Sequence, residues 1–159
     1  MHQQMQVSAG LLMFRRSGSD LELFLVHPGG PFWAKKDTGA WSIPKGLVDQ
    51  NEDKLAAAQR EFTEETSLLA SGPFVDLGLV RLKSGKLIYA WAFAGDCDPS
   101  KIKSNTFKIE WPPRSKQMKE FPEIDQARFF SVTEARQRIN QSQVPFIDRL
   151  VQIVSTENS

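Results

Sequence analysis

Three glutamates near the middle of the chain, Glu61, Glu64 and Glu65, stand at i, i+3 and i+4, the spacing that puts side chains on one face of an α-helix. Three carboxylates held that close repel one another and raise one another's pKa, so the cluster is unfavourable unless a cation neutralises it. The chain has one cysteine, Cys97, and two histidines, His2 and His27, which is too few ligands for a Cys/His zinc site. Ligation by oxygen alone points to magnesium or manganese rather than zinc or copper. Such ions bind phosphate oxygens and activate water. By itself the triplet also describes a solvated acidic helix face, so the residues around it decide between the two readings.

The helix that must carry these groups is predicted from about Glu52 to Leu68. Asn51 is positioned to cap it, and Glu52 and Asp53 fall in a first turn where the helix dipole favours acids. Leu55, Ala58, Phe62 and Leu69 recur at helical spacing as its buried stripe. Upstream, residues 6–16 and Leu21–His27 are β-prone runs parted by a Ser17–Asp20 turn. The stretch HPGGPFWAKKDTGAW is too rich in proline and glycine for regular structure, and loops of this length often carry function. Trp41–Ile43 is expected as a short strand ending at Pro44. Downstream, Phe74–Leu82 and Leu87–Phe93 form a hairpin around Lys83-Ser-Gly-Lys86. Thr106–Trp111 is a strand stopped by Pro112-Pro113, and Ala127–Phe130 is a last strand. Ser131-Val-Thr-Glu134 is a capping box for a helix through about Ile139, and Val144–Val154 is a further amphipathic helix. Interspersed strands and helices make the class α/β, with helices packed on a mixed sheet.

Position by position, Gly46 to Leu68 resembles the Nudix box: Gly, five residues, Glu, seven residues, Arg-Glu, an apolar residue, any residue, Glu-Glu, any residue, Gly, an apolar residue. Gly46, Glu52, Arg60, Glu61, Phe62, Glu64, Glu65 and Leu68 match, and Ser67 stands where the pattern has Gly. A glycine there commonly supplies a left-handed conformation after a helix, so the departure touches geometry and removes no carboxylate. The resemblance to the Nudix hydrolase superfamily implies an α/β/α sandwich with a central mixed sheet, a single domain over residues 1–159, and a magnesium-dependent pyrophosphohydrolase. It implies that Glu61, Glu64 and Glu65 hold the divalent ion and act in catalysis, that the Lys45 backbone carbonyl is a further ligand, and that Glu52 and Arg60 pair to fix the loop on the helix. It also implies a catalytic glutamate from outside the box. Glu123 is chosen on its spacing from Phe129, with Glu120 and Glu110 as rivals.

The segment WSIPKG, Trp41 to Gly46, looks more like the Pro-Lys-Gly lead-in of diadenosine polyphosphate hydrolases and decapping-type enzymes than the Pro-Gly-Gly of many enzymes that cleanse nucleoside triphosphates. Lys45 is then expected to face a phosphate, and a dinucleoside polyphosphate is the expected substrate. Trp41 is a candidate stacking surface for a base, as are Trp33, Trp91 and Trp111. Arg114 is a candidate phosphate contact within a basic run from Lys101 to Lys119. The alternatives are a nucleoside triphosphate (housecleaning) pyrophosphatase and a catalytically silent nucleotide-sensing module, which would be free to lose the box carboxylates kept here. An isomerase would need its own nucleophile, and Cys97 is flanked by Asp96 and Asp98, which raise a thiol pKa.

Composition narrows the partners. At 159 residues the chain is long enough for one domain with a core, and its 40% hydrophobic and 25% charged content is that of a folded protein. Twenty basic against nineteen acidic residues give no bulk field for nucleic acid or an anionic membrane, so any phosphate recognition must be local; the resemblance implies a small nucleotide as the partner, with a capped RNA end as the one nucleic-acid exception. No stretch approaches the roughly 18 apolar residues of a membrane span, and the N-terminus lacks a basic region ahead of its apolar run. A single cysteine fits a reducing cytoplasm.

Overall fold

The computed structural model describes residues 6–157; His2 and the segment ahead of the N-terminal apolar run lie outside them. Strand β1 (Val7–Ser17) is the spine of a six-stranded sheet. It turns back into β2 (Asp20–Pro28), pairs antiparallel with β3 (Lys45–Leu47) along its other half, and runs parallel to β5 (Leu87–Ala94). Outside these lie β4 (Val75–Arg81), paired with β5, and β8 (Ile124–Ser131), paired with β2. One parallel pairing among antiparallel ones makes the sheet mixed.

Alternation sorts the core into two layers. Leu12, Leu23 and Leu25 face one side, where α2 (Val132–Arg138) and α3 (Val144–Glu157) bring Ala135, Phe146, Ile147 and Leu150 against them. Ala9, Leu11, Met13, Phe24 and Val26 face the other side and are covered by α1 (Lys54–Thr66) through Ala57, Ala58 and Phe62. The Phe62 ring meets Phe93 at 5.3 Å and Phe24 at 6.4 Å between centroids. The central strands are apolar on both faces because helices cover both, which is the expected α/β/α sandwich.

The site helix departs from expectation at both ends. Asp53 caps it, its carboxylate accepting from the Ala56 N–H at 3.0 Å, whereas Asn51 takes a positive φ of 66° in the preceding turn. Glu52 and Asp53 therefore precede the first turn rather than occupy it. At the other end α1 stops at Thr66, so Leu69 lies past the buried stripe and is 87% exposed.

Two further elements differ. Trp41 and Ser42 make only single bridges, to Ile139 and Val26, and the strand proper is β3, one residue past Pro44. Gly10 makes that pairing possible: a Cβ there would stand 2.5 Å from the Pro44 carbonyl oxygen. The strand β6 (Thr106–Glu110) pairs with β7 (Met118–Pro122), which the sequence does not announce because Phe121 is the one residue of β7 that is partly buried. These two form an arm apart from the main sheet. No helix among the described residues is long and apolar enough to cross a membrane.

Candidate active site

Arg60 organises the start of the site. Its Nε and Nη2 donate to the two Glu52 oxygens at 2.8 and 2.9 Å, and Nη2 also donates to the Leu47 carbonyl at 3.0 Å. Glu52 in turn accepts from the Asp49 N–H at 3.0 Å. This bidentate pair ties the β3–α1 loop to the helix, and it holds the Glu52 carboxyl down at about 2. The remaining Arg60 nitrogen, Nη1, donates to Glu61 at 2.8 Å and lies 3.3 Å from Glu64.

The i, i+3, i+4 spacing thus brings the glutamates to one side of α1 but not to one point. Glu61 and Glu64 share Arg60, while Glu65 turns toward β3 and accepts from the Lys45 N–H at 3.3 Å. Among the described residues no three acidic, histidine or cysteine side chains already stand in ligand geometry. Gly46 makes room for this arrangement, because a Cβ on it would lie 2.1 Å from the Glu61 carboxyl carbon.

Electrostatically the cluster is under strain. Burial is the main cause, and the neighbouring Glu61 charge a further one, of the Glu65 carboxyl being pushed up to about 8; the residue is 8% exposed. Burial also raises Glu61, against the pull of Arg60, with the charges of Glu64 and Glu123 adding to the rise. Lys45 is lowered, chiefly by burial, with Glu65 and Glu61 opposing the shift. Oxygen donors that repel one another, half-buried and beside a glycine cradle, fit a hard divalent cation.

Of the three acids considered outside the box, Glu123 is the one beside the cluster. It lines a cleft of about 180 Å³ together with Glu65, Lys45, Pro28, Ser42 and Ile43. Its carboxyl is raised by burial and by the Glu64 charge. Glu120 instead accepts from the Thr106 hydroxyl at 2.7 Å, and Glu110 from the Lys116 N–H, both on the arm.

Backbone contacts explain the placement. The Asn105 N–H donates to the Glu64 carbonyl at 3.0 Å, the Glu123 N–H to the Asn105 carbonyl at 2.8 Å, and the Gly29 N–H to the Glu123 carbonyl at 2.8 Å. The Asn105 strap joins the end of α1 to the arm's base and was not legible beforehand, since backbone bridging leaves no side-chain signature. Ser67 reinforces it: the residue adopts φ 67°, its N–H closes the helix on the Thr63 carbonyl, and its hydroxyl donates to the Lys103 carbonyl. The serine takes the left-handed conformation expected of glycine and adds a bond that glycine lacks.

The other candidates fall elsewhere. Trp41 is 2% exposed, its ring set edge-on to Phe130 at 4.9 Å and its Nε1 donating to Asp37 at 2.7 Å, so it has no free face for a base. It belongs to the core layer packed against α2 and α3. Arg114 sits in the exposed turn between β6 and β7, and none of the basic residues from Lys101 to Lys119 lines the cleft. Trp91 packs against the α1 layer, and Trp33 is partly covered by the Lys36 ammonium at 5.1 Å. Cys97 is raised by burial and then by Asp96, as its flanking acids suggest.

Comparison with known proteins agrees with this architecture. A solved structure of a C. elegans Ap4A hydrolase binary complex superposes with a TM-score of 0.67 at 17% identity, covering 94% of this chain and 98% of that one. The NUDIX domain of Shewanella oneidensis NrtR, solved with ADP ribose, superposes with the same score at 12% identity over 96% of this chain and 90% of that one. At these identities the likeness is one of fold. An RNA pyrophosphohydrolase of Rhodopseudomonas palustris is 37% identical over 59 residues, 37% of this chain and 33% of that protein's length. The family profile described as NUDIX domain matches residues 4–150. A match that runs through both layers of the sandwich and contains the whole box leaves one assignment: the chain belongs to the NUDIX family.

Proposed function

We propose that this NUDIX protein is a magnesium-dependent pyrophosphohydrolase that cleaves a phosphoanhydride in a nucleoside polyphosphate, with a dinucleoside polyphosphate as the favoured substrate. The observation that carries the reading is the cleft in which buried Glu65, half-buried Lys45 and exposed Glu123 face one space. Glu61, Glu64 and Glu65 would hold the ion, with Glu64 and Glu61 released from Arg60 to do so. When bound, a divalent ion neutralises phosphate oxygens and acidifies a water. Glu123, across the cleft and more basic than a free carboxylate, takes the proton of the attacking water. The Lys45 ammonium, short of water, meets the phosphate chain that enters the cleft. Arg60 and Glu52 keep the loop on the helix and take no part in bond breaking.

The dinucleoside reading is supported by the Pro44-Lys45-Gly46 lead-in and by the fold likeness to an Ap4A hydrolase. A second reading, removal of pyrophosphate from an RNA 5′ end, is favoured by the local identity to RNA pyrophosphohydrolases. A cytoplasmic setting belongs to the same proposal and rests on the free thiol of Cys97. The deciding experiment measures phosphate and nucleotide release, with magnesium and with chelator, from diadenosine polyphosphates, nucleoside triphosphates and 5′-triphosphorylated or capped RNA. The expected result is chelator-sensitive cleavage with the highest kcat/KM on a dinucleoside polyphosphate. Preference for RNA ends would establish the second reading, and no cleavage of any substrate would make the chain a silent binding module.

A further inference from the structure

The basic run from Lys101 to Lys119 lines no part of the cleft, and the arm that carries it has no role in the catalytic reading. Six basic residues of this run stand against the single acid Glu110, in a chain whose net charge is +1, so the remainder of the molecule is net acidic. All six are exposed. Among the described residues none of the six enters an ion pair, a side-chain hydrogen bond or a ring contact. By contrast, Arg15, Arg60, Arg136, Arg138 and Arg149 are each bonded to a carboxylate or a carbonyl of the chain.

Two of the free cations are held at a conformational cost. Arg114 and Lys116, in the tip turn between β6 and β7, adopt positive φ of 65° and 59°. Glycine or asparagine enters that left-handed region more readily than either. Neither side chain bonds to the turn it occupies, so the fold does not require a basic residue at either position. Backbone strain without a structural partner points to a contact made outside the chain.

The cations are spread along the arm from the cleft outward. At its base the Lys103 carbonyl accepts from the Ser67 hydroxyl at the end of α1, and Asn105 bridges Glu64 to Glu123. Strands β6 and β7 are five residues each, so the tip turn stands roughly 15 Å from that base. Midway, Lys108 lies opposite Glu120 and Lys119 opposite Ile109, which puts the two lysines on opposite faces of the ribbon. A flat anionic surface such as a membrane meets one face only. Cations on both faces and at the tip suit a narrow, flexible chain of phosphates instead. We propose that the arm is a binding surface for a single-stranded polynucleotide whose 5′ end lies toward the cleft. The inference rests on the reading of the cleft as a phosphoanhydride site for the direction of the strand, and it adds a surface that a dinucleoside substrate does not need. Phosphate contacts carry no base or sugar preference, so RNA and DNA should bind alike.

The test is fluorescence anisotropy with labelled RNA and DNA single strands of roughly 12 nucleotides. Both carry a 5′-hydroxyl end and so offer no phosphoanhydride, and the protein is kept in chelator. Salt is varied from about 50 to 200 mM. The proteins are wild type, Arg114→Asn/Lys116→Asn, in which asparagine suits the left-handed turn, and Lys103→Gln/Lys119→Gln, which samples the base and middle of the arm. Arg81→Ala/Lys83→Ala removes two exposed cations from the β4–β5 hairpin as a control. Wild type should bind RNA and DNA within a few-fold of each other. Each arm variant should lower low-salt affinity about ten-fold and make the slope of log K against log salt shallower by about 1.4, from about 0.7 per lost phosphate contact. The control should keep the wild-type affinity and slope. Absence of binding, arm variants with wild-type slopes, or an equal loss in the control each overturns the proposal. So does arm-dependent capture by phosphatidylserine vesicles without binding of either strand, which would make the partner a membrane. Hydrolysis with magnesium is measured separately on wild type. Absent turnover with intact arm-dependent binding removes the enzymatic reading alone, and turnover without such binding removes this inference alone.

Discussion

Glu65 carries the most consequence of any single side chain, because it is buried as an acid with only a lysine to offset it. Burial and the Glu61 charge hold its carboxyl near 8. Replacing it by glutamine keeps the shape and removes the charge. Glu65→Gln should therefore abolish divalent-dependent turnover, at least a hundred-fold by the scale of lost metal ligands and their support, while chelated protein melts at the same temperature or higher. Near-normal rates in a folded variant would remove Glu65 from the metal site. The same shift fixes a pH dependence. A carboxyl whose folded value lies above its unfolded one of about 4.5 stabilises the fold while protonated, and that stability is lost as pH rises through the folded value. Glu61 and Glu123 are displaced in the same direction. Glu52, held at about 2 by Arg60, acts oppositely: its contribution is present above about 4.5 and is lost as pH falls toward 2. Chelated protein is thus expected to be most stable near pH 5 and to lose a few kcal/mol by pH 8, measured by urea denaturation across that range. A flat profile from pH 5 to 8 would mean that Glu65 is not buried as an acid.

At the scale of elements, the end of α1 is where the chain replaces a family glycine by its own solution. Ser67 sits in the left-handed region, which costs a non-glycine residue roughly 1–2 kcal/mol, and recovers part of it through the hydroxyl bond to Lys103, worth about 0.5–1.5 kcal/mol. Ser67→Gly should be close to neutral, since relief of the backbone offsets the lost bond. Ser67→Ala keeps the backbone cost and loses the bond, so it should destabilise by about 1 kcal/mol, read from thermal or urea unfolding. If alanine proves as stable as serine, the strap at Lys103 is not fixed by Ser67. The helix itself was legible from its period, yet its boundaries were not. Asn51 and Asp53 are both good caps, and the Asp49–Glu52–Arg60 contacts choose between them by turning the chain at Asn51. The strand β7 was hidden for another reason: a two-stranded arm half in solvent needs few apolar residues, so Met118–Pro122 shows no alternation to find.

Across the whole molecule, three distant segments close the site, so its occupancy is felt by the global fold. Magnesium at a hundred times its dissociation constant should add about 2.7 kcal/mol, and for a chain of this size raise the melting temperature by roughly 5–10 °C. At one fixed magnesium concentration the gain should be larger at pH 8 than at pH 6, because at the lower pH the ion must displace the proton that burial keeps on Glu65. Differential scanning calorimetry at both values, with magnesium and with chelator, reads this directly; an equal shift at the two values would place the ion away from Glu65. Within this picture the sequence by itself determined what is local and periodic. The spacing of Glu61, Glu64 and Glu65, the apolar stripe through Ala58 and Phe62, the glycine at 46 and the capping box at Ser131 each have a signature short enough to be read along the chain. The tertiary structure alone decided which distant residues share a space. It set Glu123, rather than Glu120 or Glu110, beside the glutamate cluster through the Asn105 strap, and it buried the Trp41 ring in the core. The physical reason is that helical and strand periods follow from bond geometry a few residues long, whereas these contacts are made by backbone hydrogen bonds and ring packing between segments that sequence order does not connect.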